Sequence, residues 1–116
     1  MIAPVPPQTL PYHVVVFTSL LRTPDPAYEV MAQRMVELAR NAPGFLGMDS
    51  ARGTDGLGIT VSYWTDEAAI AAWKADTRHL AAQRLGNTDW YATYSLHVAR
   101  VERAYAGPRD IETPAA

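Results

Sequence analysis

The first long apolar run of the chain, Tyr12 to Leu21, is oily on both of its faces. Alternate residues of a strand point to opposite sides. Here Tyr12, Val14 and Val16 fall on one side, and Val15, Phe17 and Leu21 on the other. A late run repeats the pattern, with Tyr94, Leu96 and Val98 opposed by Ala99 and Val101, and with His97 among them. An antiparallel sheet with one face in water would alternate between apolar and polar residues instead. These strands therefore belong to a sheet whose two faces are both at least partly covered, and few arrangements of a short chain satisfy that.

The other elements narrow the choice. Thr23-Pro24-Asp25-Pro26 stops the first strand and starts a helix, with Asp25 as N-cap and Pro26 at the first helical position. Tyr28, Met31, Met35 and Leu38 then recur at spacings of three and four, which makes one apolar helical stripe. Asn41-Ala42-Pro43-Gly44 ends that helix. Phe45 to Arg52 and Leu57 to Trp64 read as strands joined by the turn Gly53-Thr54-Asp55-Gly56. Thr65 stands as N-cap of an Ala-rich helix with Asp66 and Glu67 in its first turn, running to about Ala75. Asp76 is expected to cap a second helical piece through Leu85, closed by Gly86-Asn87. A last strand covers about Ala92 to Ala104. Strand, helix, strand, strand, helix, strand is the order of an α+β, ferredoxin-like βαββαβ fold with a four-stranded antiparallel sheet. Residues 1–11, with four prolines, read as an N-terminal arm, 12–106 as the domain, and 107–116 as a polar tail.

Two helices cover only one face of such a sheet, and no other segment is large enough for the second face. A second copy of the chain is the expected cover, with sheets packed face to face in a homodimer.

With 116 residues, 48% apolar and 19% charged, the chain has the composition of one ordinary globular domain. A net charge of -2 supplies no attraction toward nucleic acid or an anionic membrane. There is no cysteine, which removes disulfides, thiolate chemistry and Cys-held zinc. No apolar run has the length of a membrane span and the N-terminus lacks a signal-peptide pattern, so the expectation is a cytoplasmic protein. His13, His79 and His97 are far apart in sequence, so no metal site is expected, and no triad elbow, phosphate-binding loop or dinucleotide fingerprint is present. An aromatic, weakly polar pocket for a flat organic ligand remains.

The stretch Gly58 to Arg84 carries a resemblance. A strand ending in Tyr63-Trp64, an acidic helix start, and Ala72-Trp73 ahead of a His/Ala/Arg segment are similar to the antibiotic biosynthesis monooxygenase family, as is Pro43-Gly44-Phe45 before a strand. The similarity runs from about Tyr12 to Tyr105. It implies a dimeric α/β barrel and, by its quinol-oxidising members, monooxygenation of an aromatic or quinol-type small molecule by dioxygen with no cofactor. Heme-degrading members and non-catalytic, small-ligand-binding stress-response domains share the fold and supply the alternatives.

Catalytic candidates are His79, Trp64 and Trp73. His79 is either a general base or a solvent-facing histidine after the helix. Trp64 and Trp73 either wall the pocket, with the Trp73 N–H ready for a substrate oxygen, or fill the core. Thr60 occupies a position where quinol-type members resemble this chain but carry asparagine, and Arg84 lies near their arginine; both are candidates for holding a phenolate. Phe17, Tyr63 and Tyr94 line either pocket or core. His97 faces either the sheet–sheet interface or the helices, and parity alone does not choose. The heme-degrading members place an iron-ligating histidine about ten residues after the tryptophan that Trp73 resembles. That place here is Ala82-Gln83.

Overall fold

The computed structural model describes residues 3–22, 26–84 and 91–108, apart from the side chains of residue 27 and residues 77–84. The elements are β1 (Tyr12–Leu21), α1 (Pro26–Asn41), β2 (Phe45–Arg52), β3 (Leu57–Trp64), α2 (Glu67–Arg84) and β4 (Tyr91–Val101). The strands form one sheet in the order β2-β3-β1-β4, with every neighbouring pair antiparallel. This is the ferredoxin-like arrangement.

Pro26 opens α1, while Asp25, the expected cap, lies outside the described residues. Glu29 in the first turn and Arg40 in the last suit the helix dipole. The exit of α1 depends on Gly44. Its φ is +85°, and a Cβ there would stand 2.6 Å from the Ala69 Cβ and 2.7 Å from the Thr65 Oγ1. The Thr65 N–H donates to the Gly44 carbonyl at 2.8 Å. The missing side chain is thus what lets the start of α2 sit against the start of β2.

Two expectations about α2 are corrected. Asp66, not Thr65, is the N-cap, because its Oδ1 accepts from the Ala69 N–H at 2.8 Å. The helix is also continuous from Glu67 to Arg84, so Asp76 caps nothing and sits in its interior. An aspartate inside a helix costs only about 0.7 kcal/mol relative to alanine. The alanines around it carry the helix through, while the expected closing residues Gly86-Asn87 lie outside the described residues. The last strand begins at Tyr91 and ends at Val101, three residues before the expected Ala104.

Register separates the two faces. Val15 lies opposite Ser62, and Trp64 opposite His13, on the face that carries the helices. The core sits there, built from Val15, Ala39, Trp64 and Ile70 with Phe45, Met48, Ala69 and Trp73 packed against it. The other face carries Tyr12, Val14, Val16 and Leu20 of β1, beside Tyr63, Val61, Ile59 and Leu57 of β3. No helix covers it. The N-terminal arm meets it at β2, where the Val5 N–H donates to the Asp49 carboxylate at 3.1 Å, and Tyr12 on this face is buried. No helix among the described residues is long and apolar enough to cross a membrane.

Candidate functional site

The junction from β3 to α2 is built around Trp64, which is fully buried. Its Nε1 donates to Ser62 Oγ at 2.8 Å, so both the indole and the buried hydroxyl are satisfied within the strand. Phe45 meets it edge-on at 5.3 Å, and the Trp73 ring lies against it at 5.2 Å with a 41° tilt. Of the two roles open to Trp64, packing is the one this geometry displays; it supports Trp73 from beneath. Trp73 is only partly buried, yet its Nε1 is sealed from solvent with no hydrogen-bond partner among the described residues. His13, directly across from Trp64, likewise holds a buried Nδ1 without a partner.

A second aromatic group lies toward the other end of the same face. Phe17 stands 5.6 Å from both Tyr91 and Tyr94, and Tyr91 meets Tyr28 of α1 edge-on at 5.7 Å. The Tyr91 hydroxyl bonds the Tyr28 hydroxyl at 3.2 Å. Burial, and next this hydrogen bond, push the Tyr91 phenol far above its ordinary value, so it stays neutral. Arg52 braces the group by donating to Ser19 Oγ at 2.7 Å and to the Tyr28 hydroxyl at 3.2 Å. It also donates to the Gly56 carbonyl.

Between the two groups runs a strip of β4. Tyr94, Leu96 and Val98 lie opposite Ser19, Phe17 and Val15, hence on the helix side of the sheet. They nevertheless remain 54%, 44% and 46% exposed. The helices cover β2, β3 and β1 and leave this strip bare. An apolar floor with aromatic groups at both ends, and two unpaired ring nitrogens at one of them, suits a flat organic molecule bearing oxygen.

Phe17, Tyr94, Trp64 and Trp73 are brought to this one face. Thr60 shares it, opposite Phe17, with its hydroxyl joined to Ser50 Oγ at 2.8 Å. Tyr63 and His97 do not belong to it. His97 lies opposite Val16 on the helix-free face, and Tyr63 lies opposite Val14 there. One pocket of one protomer therefore does not contain them together with Trp73. Tyr63 donates to Asp49 at 2.9 Å, and burial followed by this carboxylate pushes its phenol up to about 12. The side chains of His79 and Arg84 lie outside the described residues, and their backbone belongs to α2. Sequence reasoning passed over His13. The signal was available in β1, where position 13 shares its parity with the helix-facing Val15. A separate cleft of about 480 Å³ opens at the β2 edge, lined by Val5, Val36, Arg40, Phe45, Gly47, Met48 and Ser50. It includes no residue of the β4 strip.

The chain matches the antibiotic biosynthesis monooxygenase family over residues 11–85, and it belongs to that family. The uncharacterized protein YqjZ of Bacillus subtilis (strain 168) is 47% identical over 93 residues, which span 80% of this chain and 82% of YqjZ. Among solved structures, a mutant of SnoaB, a cofactor-independent oxygenase from Streptomyces nogalater, superposes with a TM-score of 0.61 at 16% identity. That match covers 88% of this chain and 98% of SnoaB. PA3566 from Pseudomonas aeruginosa gives 0.62 at 18% identity, over 85% and 100% of the two chains. A mutant of MhuD, solved with two manganese protoporphyrin IX molecules per active site, gives 0.55 at 23% identity, over 81% and 99%. At these identities the structures speak for the fold alone.

Proposed function

We propose that the protein is a cofactor-independent monooxygenase of a flat, electron-rich aromatic or quinol, working as a homodimer. The observation that carries this is the bare strip Tyr94–Leu96–Val98, on the same helix side of the sheet as the Trp73 N–H, which has no partner among the described residues. SnoaB, of the same fold, is a cofactor-independent oxygenase. The reaction takes a substrate RH₂ and dioxygen to R=O and water. A base removes a proton, the resulting anion gives one electron to dioxygen, and the radical pair combines to a peroxide. Loss of water from that peroxide leaves the carbonyl. His79 on α2 is the base in this reading, with Arg84 and Thr60 beside the anion. Phe17, Tyr94 and Trp73 hold the ring, and Trp64 backs Trp73.

Heme fits this chain less well. The place of the iron-binding histidine is Ala82-Gln83, neither of which is a strong iron ligand, and no step here runs through heme. The homodimer rests on the helix-free face, where Leu57 and Ile59 are each nearly half exposed next to Val14, Val16 and Val61. A contiguous apolar face of this kind is unusual on a monomer. His97 then belongs to the interface rather than to the ligand.

Oxygen uptake with 1,4-dihydroxynaphthalene tests the reaction. Uptake well above the uncatalysed rate is expected, falling roughly 100-fold or more in His79→Ala. Equal rates for the two proteins would remove His79 as base. Uptake no faster than in buffer, with the ligand still bound, would make the protein a binding domain. A Soret shift on adding hemin would instead favour the heme branch.

A further inference from the structure

Two buried nitrogens without partners among the described residues lie around one tryptophan. His13 Nδ1 belongs to the residue paired with Trp64 across β1 and β3, and Trp73 Nε1 belongs to the ring stacked on Trp64. Paired residues on adjacent antiparallel strands stand side by side, about 5 Å apart at Cβ. Most buried polar atoms in folded proteins have a partner, so two orphans around one ring call for a cause. Packing does not supply one, since phenylalanine and leucine would fill these places without an unpaired nitrogen. Both residues are only partly buried, so a ligand can approach them from the open side.

We infer that His13 is a ligand-binding residue: His13 Nδ1 and Trp73 Nε1 together hold one hydroxyl of a flat aromatic ligand. An indole N–H only donates, while an unprotonated imidazole nitrogen only accepts. A phenolic hydroxyl both accepts and donates, and it satisfies the two atoms at once. An ether oxygen and a carboxylate each leave the imidazole nitrogen unmet, and a bare hydrocarbon leaves both unmet. The remainder of the ring lies along Val98 and Leu96, the helix-side residues of β4 that continue from this end of the sheet. The same bond aims the hydroxyl proton at an imidazole lone pair on β1, an element from which no base was expected. This inference rests on the reading of the helix-side strip as the ligand's place, but not on the oxygen chemistry.

The test is equilibrium dialysis under nitrogen with 1-naphthol and 1-methoxynaphthalene, so that binding is read without turnover. The wild-type protein is expected to bind naphthol roughly tenfold tighter than the methyl ether. Trp73→Phe and His13→Leu each weaken naphthol binding by roughly three- to tenfold, and in His13→Leu the preference over the ether disappears. His13→Asn, which keeps a polar atom close to the Nδ1 position, restores part of it. Removing an orphaned nitrogen also raises the melting temperature of His13→Leu, so affinity falls while stability rises; Trp73→Phe, which empties part of the space over Trp64, is read by affinity alone. A purely structural His13 would lose both together, and that result overturns the proposal. Equal wild-type affinity for the two ligands overturns it as well, as does nitrogen NMR showing a hydrogen on His13 Nδ1 in the naphthol complex. Oxygen uptake that persists alongside any of these results would leave the monooxygenase reading standing and the anchor refuted. Naphthol preference without uptake would do the reverse.

Discussion

Ile59 and Leu96 are isomeric side chains with nearly equal exposure, 47% and 44%, on opposite faces of one sheet. Ile59 lies opposite Thr18 on the helix-free face, and Leu96 lies opposite Phe17 on the helix side. Truncating each to alanine separates interface from ligand surface with chemistry held constant. Full burial of an isoleucine side chain contributes about 1.5–3 kcal/mol. Close to half of this one is still exposed in the protomer, so covering it contributes roughly 1 kcal/mol. A two-fold symmetric interface contains the residue twice, which makes about 2 kcal/mol per dimer, or about 30-fold in Kd. Sedimentation of Ile59→Ala over a range of concentrations is therefore expected to show a dimer dissociating about 30-fold more readily than wild type. Leu96→Ala should dimerise normally and bind naphthol less tightly. Equal weakening of the dimer by both variants would refute the assignment of faces, and a wild-type monomer at micromolar concentration would refute the dimer itself.

Gly44→Ala adds a left-handed alanine and a methyl group 2.6 Å from the Ala69 Cβ, which together should cost about 2–4 kcal/mol. With a urea m value of roughly 2 kcal/mol/M, the midpoint falls by about 1–2 M, and an unchanged midpoint would mean that α2 does not need the close approach. Tyr63, pushed up to about 12 from 10.0, stays neutral longer in the folded state than in the unfolded chain. Its contribution is complete below pH 10 and is lost as pH rises toward 12. That contribution is under about 1 kcal/mol because water screens the pair. Thermal melts between pH 9 and 12 should show the loss in wild type and not in Tyr63→Phe, with phenolate absorbance as the direct titration.

The strand boundaries were legible because β-branched and aromatic residues stop abruptly at Pro and Gly turns. The ends of β1, β2 and β3 fall where composition places them. The two-faced oiliness of β1 was legible for the same reason. Helix α2 was less so: an aspartate marks a cap in one context and is tolerated in another, and only the Asp66–Ala69 bond tells Asp66 from Asp76. The site was half legible. Parity assigns residues to alternating faces, but naming the face that carries the helices requires a packed residue, here Trp64. Once that is known, His97 and Tyr63 leave the pocket and His13 enters its neighbourhood. The exposure of Tyr94, Leu96 and Val98 was not legible at all, since it depends on how far two helices extend across four strands.

The limited reach of the helices explains why the β4 strip is bare. The part of α2 that touches the sheet presents Ala69, Ile70 and Trp73, two modest side chains and one large one. An alanine-rich helix shields backbone from water but projects little apolar volume onto the sheet beneath it. Trp73 fills the space over Trp64, and α1 supplies Ala39 there and Tyr28 at the far end. Nothing in either helix projects onto the middle of β4 far enough to hide Leu96 and Val98, among the described residues. Larger side chains on α2 would close that strip and stabilise the protomer by ordinary hydrophobic burial. The strip stays apolar and open, with Phe17 and Tyr94 at one end of the face and Trp73 toward the other. The helix-free face has no helix over it, and in the proposed dimer it would meet the partner's sheet. On the proposed reading one sheet serves two ends: its bare face would join copies, and its under-filled face would take a ring.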